Sequence, residues 1–305
     1  MSHYIKSPFK HLIALMGPTA SGKTSLAIAI AKKYKTEIIS VDSRQFYREM
    51  NVGTAKPTEA QLAEVKHHFI NNLSIHQEYT AGHFAREANV VIDELFKIHD
   101  TVIAVGGSTL YFKALLEGID TFPEITNGAK DQVKEIEKSH GLRGLQDALK
   151  EADPDYFKSV DIENPRRMAR ALEVSFSEGK PYSSYLHKNI PTNREYSIVK
   201  LGLDVPRTIL YKNINDRCDE MIEDGLLEEV KQLYPFRHLK PLHTVGYTEF
   251  FDYLEHKTNL QTAITLFKQH TRNYAKRQMT WLRKEEGLQL VPANNIEVFL
   301  NNAGS

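Results

Sequence analysis

The sequence predicts an α/β protein: a parallel sheet with helices on both faces, into which a mostly helical segment is inserted. Three observations predict it. Short apolar runs of strand length alternate with stretches of helical periodicity. A glycine-rich loop joins the first of these runs to the first helix. Between about 121 and 192 no continuous apolar run occurs, and prolines at 123, 154, 165, 181 and 191 punctuate charge-rich helical patterns. The predicted organisation is a discontinuous core domain, 1–120 with 193–305, and a helical insertion domain, 121–192.

Residues 11–16, "HLIALM", are the first strand, an apolar run that stops at Gly-Pro. Residues 22–34 form the helix that follows. "EIISV" at 37–41 and "TVIAV" at 101–105 are two further strands, each ending at Asp, Ser or Gly, with the helical pattern "EANVVIDELFKIH" between them. "SIVKLGLDV" at 197–205 and "LQLVP" at 288–292 are later strands. A long helical pattern spans 259–286.

Composition bounds the function classes. A chain of 305 residues, 41% hydrophobic and 26% charged, matches a water-soluble globular protein. Its longest apolar runs are far too short to cross a bilayer. The opening "MSHYIKSPFK" lacks the apolar centre of a signal peptide, so a cytoplasmic location is expected. The single cysteine, Cys218, rules out an internal disulfide framework and a cysteine-rich zinc site. It sits in a helical pattern beside Met221 and Ile222 and reads as a packed thiol. Lys plus Arg (39) balances Asp plus Glu (39), so any polyanion partner must be met by a local basic surface.

The stretch Gly17-Pro18-Thr19-Ala20-Ser21-Gly22-Lys23-Thr24 fits G-x-x-x-x-G-K-[ST] and lies between a predicted strand and a predicted helix. Its glycines let backbone N–H groups turn inward around phosphate oxygens. Lys23 supplies a point charge, Thr24 a hydroxyl for Mg²⁺, and the helix start a favourable dipole. The loop specifies phosphate but not the molecule that carries it.

Asp42 and Ser43 follow the second strand, at the edge of a parallel sheet where ligands bind. For Asp42 three roles stand open: Mg²⁺ ligand, general base and helix N-cap. The polar stretch "VDSRQFYREMNVGTAKP" is long for a simple turn, and its Arg44, Gln45, Tyr47, Thr54 and Lys56 suit a large polar substrate. After the third strand, "VGGSTLYFKALLEG" places Ser108 at the same edge, as a ligand hydroxyl or as the cap of the next helix.

Two segments carry one-signed charge. "NPRRMARALEV" puts Arg166, Arg167 and Arg170 at a helix start, where cations oppose the dipole, so helix stability does not account for them. "KQHTRNYAKRQMTWLRK" carries six Lys/Arg and no acid. There Phe267, Tyr274 and Trp281 repeat at seven and pack inward. Arg272, Lys276 and Arg283, with Arg277 and Lys284 beside them, face a polyanion. No D-D-x-x-D, G-x-S-x-G or N-K-x-D motif is present, and the 13 histidines show no metal spacing.

The stretches "GPTASGKTSLA", "ISVDSRQFYREMNVGTAKP", "VGGSTLYFKALLEG", "NPRRMARALEV", "TVGYTEF" and "AKRQMTWLR", in this order, closely resemble the tRNA dimethylallyltransferases, also called tRNA isopentenyltransferases. The resemblance runs from roughly 12 to 290. It implies a P-loop NTPase-like core with a helical insertion that covers tRNA. It also implies transfer of a dimethylallyl group from dimethylallyl diphosphate to N6 of the adenosine 3′ of the anticodon, with Mg²⁺ and without ATP. On this resemblance Asp42 matches the general base, Ser108 a position often held by threonine, and Arg217 an arginine near the diphosphate. The tRNA-contacting segments match Asp42, Ser43, Arg44 and Gln45; Arg166, Arg167, Met168, Ala169 and Arg170; and His243, Thr244, Val245, Gly246, Tyr247 and Thr248. Arg272, Lys276 and Arg277 of the basic helix join them. Relatives often carry a basic residue at His243 or Thr248, and some carry glutamine at Arg166. Without the zinc finger that eukaryotic relatives add, the chain resembles the compact bacterial type and is expected to act as a monomer. The rival readings are a small-molecule P-loop kinase, an enzyme prenylating free adenine nucleotides, and a non-catalytic RNA-binding module. The first two leave the basic helices unexplained, and the third leaves the phosphate loop and Asp42 without a role.

Overall fold

A computed structural model of the chain describes residues 10–186 and 194–292. The expected start of the returning core segment at 193 and the opening stretch 1–9 lie outside these residues. The chain divides into two compact units, Glu117–Thr192 and the remainder.

The larger unit is built on a six-stranded sheet. Its strands are β1 (Lys10–Met16), β2 (Ile38–Val41), β3 (His67–His68), β4 (Thr101–Gly106), β5 (Tyr196–Asp204) and β6 (Gln289–Pro292), in the spatial order β3-β2-β4-β1-β5-β6. All the pairings are parallel. Strands covered on both faces read as unbroken apolar runs. Accordingly Leu12, Ala14, Leu15 and Met16 of β1 are 0–1% exposed, as are all the residues of β4 from Val102 to Ala104. Burial of each such leucine or methionine is worth roughly 1.5–3 kcal/mol.

The helices are α1 (Lys23–Tyr34), α2 (Glu59–Glu64), α3 (Ala81–Leu95), α4 (Thr109–Glu117), α5 (Asn127–Ala152), α6 (Pro154–Ser159), α7 (Pro165–Glu178), α8 (Arg207–Glu223), α9 (Leu226–Leu233), α10 (Thr248–Leu254) and α11 (Leu260–Leu282). Helix α3 begins at Ala81, six residues before the periodic pattern, because Thr80 Oγ1 caps it by accepting from His83 N. The two-residue β3 was too short to read as a strand. It is held beside β2 by its pairing and by Glu37, whose carboxylate lies 2.5 Å from His68 Nε2. Cys218 is packed as expected, 1% exposed, with its thiol near Thr271 Oγ1.

In the smaller unit, α5 and α7 close over Val133, Leu145, Leu149, Met168, Ala171 and Leu172. Helix α5 breaks at Gly141, where φ is 59° and ψ −148°. The unit's buried acid is Asp153, 1% exposed. Its Oδ1 accepts from Tyr156 N at 3.0 Å, which caps α6, and from Ser183 Oγ at 2.9 Å; its Oδ2 accepts from Ser183 N at 2.6 Å. This carboxylate ties the turn after α7 to the junction of α5 and α6. Replacement of Asp153 by alanine strands two partly buried backbone donors, Tyr156 N and Ser183 N. We expect Asp153→Ala to destabilise the smaller unit by about 2–4 kcal/mol, read as an earlier urea transition for a probe within 117–186.

Candidate active site

Register assembles the site. Met16 of β1 pairs with Gly106 of β4, and Gly106 pairs with Val41 of β2. Three adjacent strands therefore end at one level, and the residues that follow them (Gly17, Gly107 and Asp42) leave the sheet side by side. Gly106 is required there, since a Cβ on it would lie 1.9 Å from Val41 O.

The phosphate loop spans β1 to α1. Gly22 holds φ 89°, a left-handed conformation that turns the chain into α1. No side chain caps α1, and no acid occupies its first turn, so its N–H groups are left for an anion. Lys23 folds back over the loop, with Nζ donating to Pro18 O and, at 3.5 Å, to Ser21 Oγ. Enclosure of the amine and the neighbouring Arg217 charge push its pKa down to about 7, and the Asp42 carboxylate pulls the other way. Helix α8 clasps the loop from outside. Asn213 Nδ2 donates to Ala20 O at 3.3 Å and Arg217 Nη1 to Thr19 Oγ1 at 3.5 Å. Burial lowers the Arg217 pKa from its very high ordinary value. Two cations thus converge on the loop without a carboxylate pairing them closely, a field that suits di-anionic phosphate.

A cavity of about 300 Å³ opens at this sheet edge, lined by Thr19, Lys23, Thr24, Asp42, Arg217 and Tyr274 among others. A second, of about 310 Å³, lies on the other side of the loop and shares Lys23, Thr24 and Arg217 with the first. Asp42 Oδ1 accepts from Arg44 N at 2.8 Å and Gln45 N at 3.2 Å. The capping role is therefore real, but it holds a turn through one oxygen rather than a helix. Ser108 precedes α4 and is 6% exposed, yet its Oγ completes no hydrogen bond, so it does not cap α4 with its side chain. The Ser108 hydroxyl lies beside that of Tyr274. Burial and the Asp42 charge push the Tyr274 phenol up to about 12, with Ser108 acting against the rise. Tyr274 is thus a neutral phenol that lines the same cavity as Asp42. The heptad spacing had placed it simply inward.

Thr24 and Asp42 present hard oxygen donors to the same cavity. The described residues contain no cluster of three or more His, Cys, Asp or Glu able to hold a metal. That donor set fits Mg²⁺ bound together with phosphate oxygens and water, and not a protein-only cage.

Several polar residues expected to meet substrate are committed to the scaffold. Gln45 Nε2 donates to Thr54 O and Ala55 O, both at 3.2 Å, and its Oε1 accepts from Ser40 Oγ. Lys56 Nζ donates to Tyr47 O, Asn51 Oδ1 and Asn71 Oδ1, and burial lowers its pKa to about 8. Arg44 Nη1 donates to Ser43 O at 2.8 Å, but its Nε is buried with no partner among the described residues. An unannounced residue organises this stretch. The Glu229 carboxylate accepts from Asn51 N, Val52 N and Gly53 N at 2.8–3.0 Å, and from Tyr247 Oη at 2.7 Å. One of two adjacent glutamates in the amphipathic pattern of α9, it carries no mark of this role in the sequence.

The segments expected to touch RNA separate by unit. His243, Thr244, Val245 and Thr248 join His270, Asn273 and Arg277 around an open groove of about 420 Å³ that shares Tyr274 with the cavity. Gly246 is buried, its N–H donating to Glu249 Oε2 at 2.8 Å. Arg166, Arg167 and Arg170 are exposed at the start of α7 in the smaller unit, with Arg170 over the Phe122 ring. Two expected contacts need correction. The side chains of Met168 and Tyr247 are each 0% exposed, the first inside the small core and the second bound to Glu229, so they can only support their neighbours. Ala169 is partly buried against the same small core. The basic helix is also less uniform than it reads. Lys268 is paired with Asp219 at 2.6 Å, and Arg272 Nη1 donates to Asn215 Oδ1 at 2.6 Å, which leaves Lys276, Arg277, Arg283 and Lys284 exposed.

The IPP transferase family profile matches residues 45–285. A P-loop α/β transferase of that class is what the sheet edge defines. The tRNA dimethylallyltransferase of Christiangramia forsetii is 45% identical over 275 residues, covering 90% of this chain and 91% of the relative. That of Flavobacterium johnsoniae is 45% identical over 283 residues, covering 91% of each. The crystal structure of the full-length tRNA isopentenylpyrophosphate transferase from Bacillus halodurans superposes with a TM-score of 0.71 at 31% identity, over 97% of this chain and 96% of that one. A eukaryotic dimethylallyltransferase acting on tRNA gives 0.78 at 27% identity, over 93% of this chain and 74% of that one. The chain belongs to the tRNA dimethylallyltransferase family. Among the described residues no helix is long and apolar enough to cross a membrane.

The Lys23 amine predicts a pH dependence. In the empty site it loses its proton near pH 7. A bound diphosphate favours the charged amine and raises that pKa, so binding takes up a proton between the two values. Affinity for a prenyl diphosphate is therefore expected to fall as pH rises above about 7, by up to about tenfold per unit. Titration calorimetry in buffers of different ionisation heat should detect the proton, and Lys23→Met should abolish its uptake.

Proposed function

We propose that the chain transfers the dimethylallyl group of dimethylallyl diphosphate to N6 of the adenosine 3′-adjacent to the anticodon of tRNA and releases diphosphate. The observation that carries this reading is the convergence of phosphate loop, Asp42 and Ser108 at one strand level, beside a groove continuous with exposed cations of α11. Residues Gly17 to Thr24 and Arg217 hold the diphosphate, and Lys23 and Arg217 stabilise the charge that grows on it as the allylic C–O bond breaks. The Thr24 hydroxyl would hold Mg²⁺ bound together with the diphosphate, and the ion would add positive charge against the leaving group. The adenine N6 lone pair forms the new bond to the allylic carbon. Asp42, with Oδ1 held by two backbone N–H groups, takes the N6 proton, a contribution worth typically ~10²–10⁴-fold. The hydroxyls of Ser108 and Tyr274 orient the amine.

Reaching this cavity requires the target base to leave the anticodon-loop stack, which costs little in a single-stranded loop. Ser43, Arg44, the 243–248 segment, Arg272, Lys276 and Arg277 receive the RNA on the larger unit. Arg166, Arg167 and Arg170 receive it on the smaller one, which covers the tRNA. A monomer in the cytoplasm is the working state.

Unmodified tRNA, Mg²⁺ and labelled dimethylallyl diphosphate test the reading. Label is expected in tRNA without ATP, and label found only in free adenine nucleotides would sink it. In the same assay Asp42→Asn should retain prenyl diphosphate binding within about threefold while transfer falls by at least ~10²-fold. Loss of diphosphate binding instead would make Asp42 a metal ligand. Arg167→Ala should weaken tRNA binding and reduce the slope of log K against log salt by about one phosphate contact. An unchanged slope would return Arg167 to an ordinary solvated side chain.

A further inference from the structure

Gln278 is the buried polar side chain of α11, 4% exposed on a face otherwise formed by Ala263, Phe267, Ala275 and Leu282. A leucine would satisfy that face, and a buried amide left unpaired costs roughly 1–3 kcal/mol. Both ends of this amide are paired, and with backbone groups of two different loops. Its Oε1 accepts from Thr19 N in the phosphate loop at 2.9 Å, and its Nε2 donates to Gly107 O in the turn after β4 at 2.8 Å. The partners fix the amide's orientation, since one is a donor and the other an acceptor. Gly107 is matched to it, because a Cβ there would lie 2.3 Å from Nε2.

We infer that Gln278 is a positioning residue for the transfer step: its single amide sets the separation between the phosphate loop and the Ser108 turn. The inference rests on the proposed roles of those two loops, one holding the leaving group and the other orienting the amine. The bond to Thr19 N turns that peptide toward α11 and away from a phosphate, leaving the loop's later N–H groups to bind anion. It also steadies the residue whose hydroxyl receives Arg217. The bond to Gly107 O fixes the residue before Ser108. Tyr274, one helical turn earlier, reaches Ser108 and the Asp42 charge from the same face. An allylic carbon and an attacking nitrogen must be held about 3–3.5 Å apart and in line, and an error of about 1 Å can cost 10²-fold.

The test uses Gln278→Met, similar in length but without donor or acceptor, and Gln278→Glu. For Gln278→Met, single-turnover transfer should fall by about 30- to 100-fold, with tRNA KM and prenyl diphosphate affinity each within about threefold. For Gln278→Glu the pH decides. A protonated carboxyl can donate to Gly107 O and accept from Thr19 N, whereas a carboxylate can only accept. Its transfer rate relative to wild type should therefore climb as pH falls from about 8.5 to 6, a rescue that simple packing would not produce. A transfer rate within about threefold of wild type in Gln278→Met, or a loss confined to tRNA KM, overturns the assignment. If Gln278→Met does not fold, a flat ratio for Gln278→Glu overturns it. Failure of the underlying reading is separately visible: with labelled dimethylallyl diphosphate the wild-type protein would then leave no label in tRNA.

Discussion

Met16, Gly106 and Val41 lie abreast in three neighbouring parallel strands, and the chain must leave the sheet at that level three times. Nothing in the site could be placed without this register. A slip by one residue on β4 would turn its side chains to the opposite face, and a slip that set Val105 in the place of Gly106 would drive a Cβ into Val41 O. The apolar runs that enforce the register are the most deeply buried parts of the molecule. The site is thus formed by loop residues whose positions are dictated by the buried strands they follow.

Much of this was legible. The phosphate loop could be read because its glycines, Lys23 and Thr24 occupy fixed offsets between a strand and a helix. The strand ends could be read because apolar runs stop at Asp42 and Gly106. What stayed hidden were contacts between residues far apart in sequence. Glu229 reads as one more charge on an amphipathic helix, yet it binds three successive N–H groups 176–178 residues away. Gln45 and Lys56 are polar residues in a polar loop, and only their partners show that they are struts. Tyr247 and Met168 sit inside functional segments as the buried anchors of their neighbours. The smaller unit was visible as a change of pattern, but its buried Asp153 was indistinguishable from a surface acid.

The charge distribution follows the same division. Cations that are paired, such as Lys268 with Asp219 and Lys200 with Glu285, belong to the architecture. Lys23, Arg217 and the Arg44 Nε lack such close acidic partners and border one cavity. A chain of zero net charge therefore gathers three basic side chains at one cavity, without the solubility and self-repulsion effects of a globally basic surface.

The bond from Thr19 N to Gln278 spans 259 residues. Its consequence is temporal. During synthesis the phosphate loop emerges well before the helix that sets its geometry. The strand beside β1 on one flank, β5, and the clasping helix α8 also arrive only after the smaller unit has been made. A ribosome-bound chain stopped before α11 would display the entire G-x-x-x-x-G-K-T signature and still lack a site. The loop reaches its final geometry only once α11 has been made.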